Sequence, residues 1–211
     1  MPIISISGNI GAGKSTLLKR LESMGHTVMF EGINRGAWGG LLKKYYDDPK
    51  KYAYLFQTTV LADMAEQWNV LARAKLGDKI VFTERSCLDN MAFTSLIYED
   101  GNMTNDEYAT FKRLHALIGT NPDMVVMLRA STSTCLDRIR FRDRDGEDKI
   151  TVQYLDKIKA HTERVLYDSG VPYVIQLVEG KAPDQLVKSI DAAVECLKLS
   201  RWREVFKKSD K

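Results

Sequence analysis

"IISISGNIGAGKSTLLKRLESMG", residues 3–25, decides the fold. Residues 3–7 are a short apolar run with the β-branched content of a strand. GNIGAGKST, from Gly8 to Thr16, follows without a break and fits G-x-x-x-x-G-K-[ST]; TLLKRLESMG then continues at helical spacing. Strand, glycine-rich loop and helix in immediate succession are the context in which this pattern cradles a polyphosphate. Gly8, Gly11 and Gly13 let the backbone N–H groups of the loop, through Asn9, Ile10 and Ala12, wrap the phosphates without Cβ obstruction. Lys14 is placed to neutralise the β/γ oxygens, the Ser15 hydroxyl to ligate Mg²⁺, and Thr16 opens a helix whose positive end lies beneath the anion. The chain is expected to bind a nucleoside triphosphate.

Outward from the loop, four more apolar runs appear: HTVMFE (26–31), KIVFTE (79–84), DMVVMLR (123–129) and VPYVIQLV (171–178). Most are near-continuous, as in strands buried on both faces of a parallel sheet. The intervening stretches carry helical spacing. Residues 58–76 place Val60, Leu61, Met64, Trp68 and Leu71 on one stripe, and 184–199 do the same with Leu186, Val187, Ile190, Val194 and Leu197. Residues 151–168 start at a Thr151 cap and end before Gly170. The expectation is one α/β domain: a five-stranded parallel sheet flanked by helices, spanning about 1–200, with a basic tail at 201–211.

Bulk properties exclude several classes. The chain has 211 residues and a net charge of +3, and the tail RWREVFKKSDK, with five basic and two acidic residues, accounts for all of it. A neutral body gives no nucleic-acid footprint. Cys87, Cys135 and Cys196 show no metal-type spacing and suit a reducing compartment, hence a cytoplasmic protein. No run reaches the length of a membrane helix. There is no N-K-x-D guanine reader of a regulatory GTPase, and the third strand ends in TERS rather than in the Asp of a motor ATPase. A phosphotransferase acting on a small acceptor remains.

The acceptor side follows from topology, because open α/β sheets bind ligands outside the carboxyl ends of their strands. Glu31 ends the second strand, and Glu84 and Arg85 end the third. One carboxylate can take the acceptor's proton, the other can attend Mg²⁺, and the arginine can balance growing charge. RIRFRDRDGEDK (138–149) puts arginines at 138, 140, 142 and 144. Such a run is either a solvated face or an anion clamp.

Taken in order, GNIGAGKST, the lone Glu31, YYDDPKKYAYLFQTT, TERS and LRASTSTCLDRIRFRDRDGEDKITVQYL resemble the deoxyribonucleoside kinases, the family of deoxycytidine, deoxyguanosine and mitochondrial thymidine kinases. The resemblance covers residues 3 to about 168. It implies ATP-dependent phosphorylation of a deoxynucleoside 5′-hydroxyl with Mg²⁺, and a homodimer. Glu31 would be the base, Arg85 would hold the reacting oxygens, and Glu84 would attend the metal. Phe56 and Gln57 match the family's aromatic–glutamine pair, the amide reading the base. Tyr46 and Glu147 match the clamp on the 3′-hydroxyl, and Phe93 and Asn90 lie near the base. Residues 138–149 resemble the arginine-rich lid, with Arg138, Arg142 and Arg144 as the arginines that close on the triphosphate and Arg140 left to solvent. If the segment is helical, Arg138 and Arg142 share one face and Arg140 and Arg144 another.

Two departures stand out, one of them a spacing: from E-R-S to Phe93 it agrees with bacterial members of the family and is one residue shorter than in animal ones. The family's E-P-V…W is EGINRGAW here, with Gly32 for proline and Trp38 displaced by two positions, so no pocket role carries over to Trp38. Met64 stands seven residues after Gln57, where thymidine-accepting members have methionine and deoxycytidine- or purine-preferring members have arginine. The expected order is thymidine, then deoxycytidine or deoxyuridine, then purines. A nucleoside monophosphate kinase of thymidylate type is the rival reading, and a non-catalytic nucleotide-binding module the reading from another class. The first would need cations for the acceptor's own phosphate where Glu31 repels one.

Overall fold

In the computed structural model, which describes residues 1–35, 38–74, 76–77, 79–192 and 194–195, five strands form one parallel sheet. They are β1 (Ile3–Gly8), β2 (Thr27–Met29), β3 (Val81–Glu84), β4 (Met124–Arg129) and β5 (Tyr173–Leu177), in spatial order β2-β3-β1-β4-β5. Seven helices surround them: α1 (Lys14–Ser23), α2 (Gly39–Asp47), α3 (Pro49–Arg73), α4 (Cys87–Glu99), α5 (Asn105–Ile118), α6 (Thr132–Arg142) and α7 (Val152–Ser169). Residues 183–192 are also helical. The remainder of the expected 184–199 helix, Cys196 and the basic tail lie outside the described residues.

Alternation along the central strands sorts the core. Ile4 and Ile6 of β1 and Val126 and Leu128 of β4 pack with Leu17, Leu18 and Leu21 of α1 and Leu186, Val187 and Ile190 of the last helix. Val125 and Met127 face the other way, onto Leu88 of α4 and Leu166 of α7. Successive side chains of a strand point to opposite faces, so Ser5 and Ser7 share the α4 side. Both are fully buried.

The expectation of strands covered on both faces holds for β1, β3 and β4, which are buried almost throughout. It fails at the edges. β2 is half-buried, and β5 leaves Tyr173, Ile175 and Leu177 exposed despite an apolar sequence. An edge strand pairs on one side only and is reached by fewer covering helices.

The helix expected at 58–76 begins at Pro49. Asp48 caps it by accepting from the Lys51 N–H at 3.3 Å, and proline occupies the first turn, where its missing N–H costs nothing. The nine-residue extension brings Phe56 and Gln57 into the body of a rigid helix. α7 starts at Thr151, whose hydroxyl accepts from the Tyr154 N–H, and ends at Gly170 in the left-handed region, as expected.

Candidate active site

The carboxyl ends of β1 and β3, the first turns of α1 and α4, and α2, α3 and α6 enclose a cleft of about 590 Å³. That is within the usual range for a small-ligand site. Among its walls are Lys14, Glu31, Tyr46, Phe56, Gln57, Met64, Glu84, Arg85, Asn90, Phe93, Arg138, Arg142, Arg144 and Glu147. These residues come from seven separate segments of the chain.

The phosphate loop is held in its bent path by packing as well as by sequence. Gly11 has φ 79°, and a Cβ there would lie 2.4 Å from the Cys135 carbonyl oxygen. Only glycine fits this approach of the loop to α6. Lys14 is 5% exposed, and its Nζ donates to the Gly8 and Asn9 carbonyls at 3.1 and 2.8 Å. Burial and then the Arg85 charge lower its pKa to about 8, against the opposing pull of Glu84, Glu31 and Asp89. A polyphosphate anion in the loop would raise it again.

Glu84 ends β3 and accepts from the Ser15 hydroxyl at 2.5 Å and from the Glu31 N–H at 3.3 Å. The hydroxyl of the loop and a strand-end carboxylate thus meet as a pair of hard oxygen ligands. Mg²⁺ is commonly bound by one or two such groups and completes its shell with phosphate and water. Among the described residues no cluster of three or more His, Cys, Asp or Glu forms a metal cage. The Ser15–Glu84 pair has the hard oxygen donors that such a metal takes.

Glu31 does not end a strand as expected. β2 stops at Met29, and Glu31 enters a single 3-10 turn over Gly32–Arg35. Its carboxylate lies 3.0 Å from Arg85 Nε, yet that N–H is not aligned for a hydrogen bond. Burial raises the pKa of Glu31 above the ordinary carboxylate value, and Glu84 adds to the rise while Arg85 and Lys14 oppose it. A carboxylate in this setting is a stronger base than one in water. Arg85 is 7% exposed. Burial works against its charge, but Glu31, Asp89 and Glu84 outweigh it, so its pKa stands above the usual guanidinium value. Its guanidinium lies 4.8 Å from the Phe93 ring centroid and donates to the Gly8 carbonyl at 3.1 Å.

On the far wall the Phe56 ring stacks on Tyr45 at 5.2 Å between centroids and meets Trp38 edge-on at 5.3 Å. Trp38 does line the cleft, although no such role carried over from the family pattern. The substitution at residue 32 explains how. A Cβ at Gly32 would lie 1.9 Å from the Trp38 indole nitrogen, so the ring occupies the space that proline would fill. Gln57 is buried, and its Oε1 accepts from Asn90 Nδ2 at 2.7 Å. Met64 is buried in the same wall and borders a second small cavity of about 20 Å³.

The lid differs in one respect from a continuous helix. α6 ends at Arg142, and Asp143 takes a left-handed conformation with φ 49°. The chain therefore turns, and Arg144 reaches the cleft together with Arg138 and Arg142 instead of pointing away with Arg140. Glu147 is 5% exposed and accepts from Arg142 Nη2 at 2.6 Å and Nε at 3.2 Å, with Arg144 Nη1 at 3.5 Å. Arg138 donates to the Gly11 carbonyl at 3.3 Å, which ties the lid to the phosphate loop. Tyr46 packs against Gly146, the neighbour of Glu147. Burial drives its phenol pKa up, so it remains a neutral donor.

Tyr45, Tyr154 and Asp89 escaped the sequence reading. The two tyrosines line the cleft from α2 and α7 and carry no spacing signal of their own. Asp89 does, since Ser86-x-x-Asp89 is a capping-box pattern.

The deoxynucleoside kinase family matches the chain over residues 4–194. Deoxycytidine kinase 2 of Gallus gallus is 29% identical over 197 residues, 78% of this chain and 74% of that one. Deoxyadenosine kinase of Dictyostelium discoideum is 28% identical over 203 residues, 92% of this chain and 80% of that one. A deoxyadenosine kinase from M. mycoides, solved with dCMP and a flexible dCDP, shares the fold with a TM-score of 0.76 at 22% identity, over 92% of this chain and 99% of that one.

Proposed function

Because the chain belongs to the deoxynucleoside kinase family, whose members are phosphotransferases, we propose that it transfers the γ-phosphoryl group of ATP to the 5′-hydroxyl of a pyrimidine deoxynucleoside. The observation that carries this reading is the Glu31–Arg85 pair at the mouth of the phosphate loop. Glu31 takes the 5′-hydroxyl proton as that oxygen forms its bond to phosphorus in line, and the bond to the departing ADP oxygen breaks. Arg85 holds the reacting oxygens, and Lys14 neutralises the β and γ oxygens. Arg138, Arg142 and Arg144 meet the charge that spreads over the γ-phosphoryl group. Ser15 and Glu84 would hold Mg²⁺, which supplies further neutralisation of the triphosphate when bound.

Tyr46 and Glu147 orient the sugar through its 3′-hydroxyl, while Phe56, Gln57, Asn90 and Phe93 receive the base. Two readings of the base rest on different atoms. Met64, apolar and deformable, favours thymidine by receiving the 5-methyl group. The relatives named for deoxycytidine and deoxyadenosine favour a base with an amino group, whereas the Asn90–Gln57 contact occupies the amide oxygen of Gln57 and leaves its NH₂ to donate to an acceptor on the base edge. Comparison of kcat/KM for thymidine, deoxycytidine and deoxyadenosine separates the two. A cytoplasmic homodimer completes the proposal, on the free thiols of Cys87 and Cys135 and on the family resemblance respectively; sedimentation velocity tests the dimer.

The kinase reading is tested by incubating the protein with ATP, Mg²⁺ and either deoxynucleosides or their 5′-monophosphates, then separating products by charge. Monophosphates formed from nucleosides are expected. Diphosphates formed from monophosphates alone would establish the thymidylate-kinase type, and no transfer to either would leave a binding module.

A further inference from the structure

Asp89 is 1% exposed, sits in the first turn of α4 and receives donors from three directions. Its Oδ2 accepts from the Ser86 N–H at 2.9 Å and from the Ser86 hydroxyl at 3.3 Å. Its Oδ1 accepts a short hydrogen bond from the Ser7 hydroxyl and faces Arg85 Nη1 at 3.5 Å. Ser7 is the last residue of β1 before Gly8, so one carboxylate joins the root of the phosphate loop, the turn after β3 and the Arg85 guanidinium.

That turn is not relaxed. Arg85 has φ 65°, in the left-handed region that side-chain-bearing residues rarely occupy. Such a conformation persists where surrounding contacts over-determine it. The Arg85 N–H donates to the Ile6 carbonyl at 3.1 Å, and the next N–H, that of Ser86, goes to Asp89. Capping alone asks for the Ser86 contacts only, and neither Ser7 nor Arg85 belongs to a cap.

We propose that Asp89 is a positioning residue for phosphoryl transfer: through Ser7 and Ser86 it fixes the Arg85 guanidinium between Glu31 and the phosphate loop. The proposal rests on the reading of Arg85 as a group that touches the reacting oxygens.

Asp89→Asn separates positioning from capping. Every group facing Asp89 is a donor, and the Ser86 N–H cannot reverse. The amide oxygen must therefore stay on Ser86, which turns the NH₂ toward Ser7 and Arg85. The cap survives while the guanidinium is pushed from its place. Misplacement of a reacting group by about 1 Å can cost about 10²-fold in rate. For Asp89→Asn we expect a kcat loss of that order, with KM for ATP and nucleoside changed less than about threefold. Ser7→Ala should lose kcat in the same direction by less, and adding it to Asp89→Asn should cost little more. The split between kcat and KM is the readout that a loss of capping alone would not produce.

Arg85→Ala, measured alongside, keeps the two levels apart. If Arg85→Ala retains kcat, the role given to Arg85 fails. If Arg85→Ala loses kcat but Asp89→Asn keeps kcat while unfolding at lower temperature, Asp89 is a cap only and the proposal is overturned. A kcat loss in Asp89→Asn with KM nearly unchanged and little change in unfolding temperature supports it.

Discussion

The two walls of the cleft are built on different principles. The donor wall, β1, the phosphate loop and α1, is contiguous in sequence and made largely of backbone. Gly8, Gly11 and Gly13 leave room for the loop's N–H groups, and the first turns of α1 add the side chains of Lys14, Ser15, Thr16 and Lys19. The acceptor wall is assembled from α2, α3, α4 and the turn after β2, and works through side chains: the ring stack of Tyr45 and Phe56, the Gln57–Asn90 amides, and Met64. A wall of backbone reads charge and geometry that all triphosphates share. A wall of side chains can distinguish one base from another. The lid, with Arg142 held on Glu147 beside Tyr46, connects the two.

The largest effect should come from the donor wall. Lys14→Ala is expected to abolish transfer, because no other described lysine is placed on the loop carbonyls as Lys14 is; wild-type-like turnover would remove the assignment of the loop. Next is the lid. Arg142→Ala should lower kcat by about 10²–10³-fold, the size of a lost transition-state donor, with much less effect on nucleoside affinity. An unchanged kcat would return Arg142 to solvent.

The acceptor wall should respond in smaller steps. Tyr46→Phe removes one contact, so binding of 3′-hydroxyl substrates should weaken by about 1 kcal/mol, and by less for 3′-deoxy analogues; Glu147→Gln should show the same substrate dependence with a larger loss, because it also loosens Arg142 and Arg144. Equal losses with both would show that neither side chain touches that hydroxyl. Met64→Arg should lower kcat/KM for thymidine relative to deoxycytidine, and an unaltered ratio would make Met64 a packing residue only.

The contrast between the walls also explains what the sequence made legible. The donor wall is one uninterrupted motif, and the strand–loop–helix order around it gave the parallel sheet as well. Edge exposure of β5 was not legible, since VPYVIQLV is as apolar as the central runs and its position in the sheet depends on the whole chain. On the acceptor side Glu31 followed from the strand-end topology, whereas Phe56, Gln57 and Met64 emerged through family resemblance, because their spacing alone fits an ordinary helix stripe. Trp38 needed the structure. Its place depends on Gly32 being small, a relation between two residues that neither shows alone. Arg144 came from the family resemblance, and the left-handed Asp143 is what brings it to the cleft where helical periodicity would have turned it outward.

At the junction of the walls stands Glu31, and its role as the base is the central claim. The measurement is kcat/KM against pH for wild type and Glu31→Gln with a deoxynucleoside acceptor. Burial raises the Glu31 pKa, so the proton it must be free of is lost only above the ordinary carboxylate range. Wild-type activity should therefore fall as pH drops through a limb above that range. Glu31→Gln should be slower by about 10²–10⁴-fold and lack the limb. A Glu31→Gln enzyme that kept both its rate and the acid limb would contradict the account.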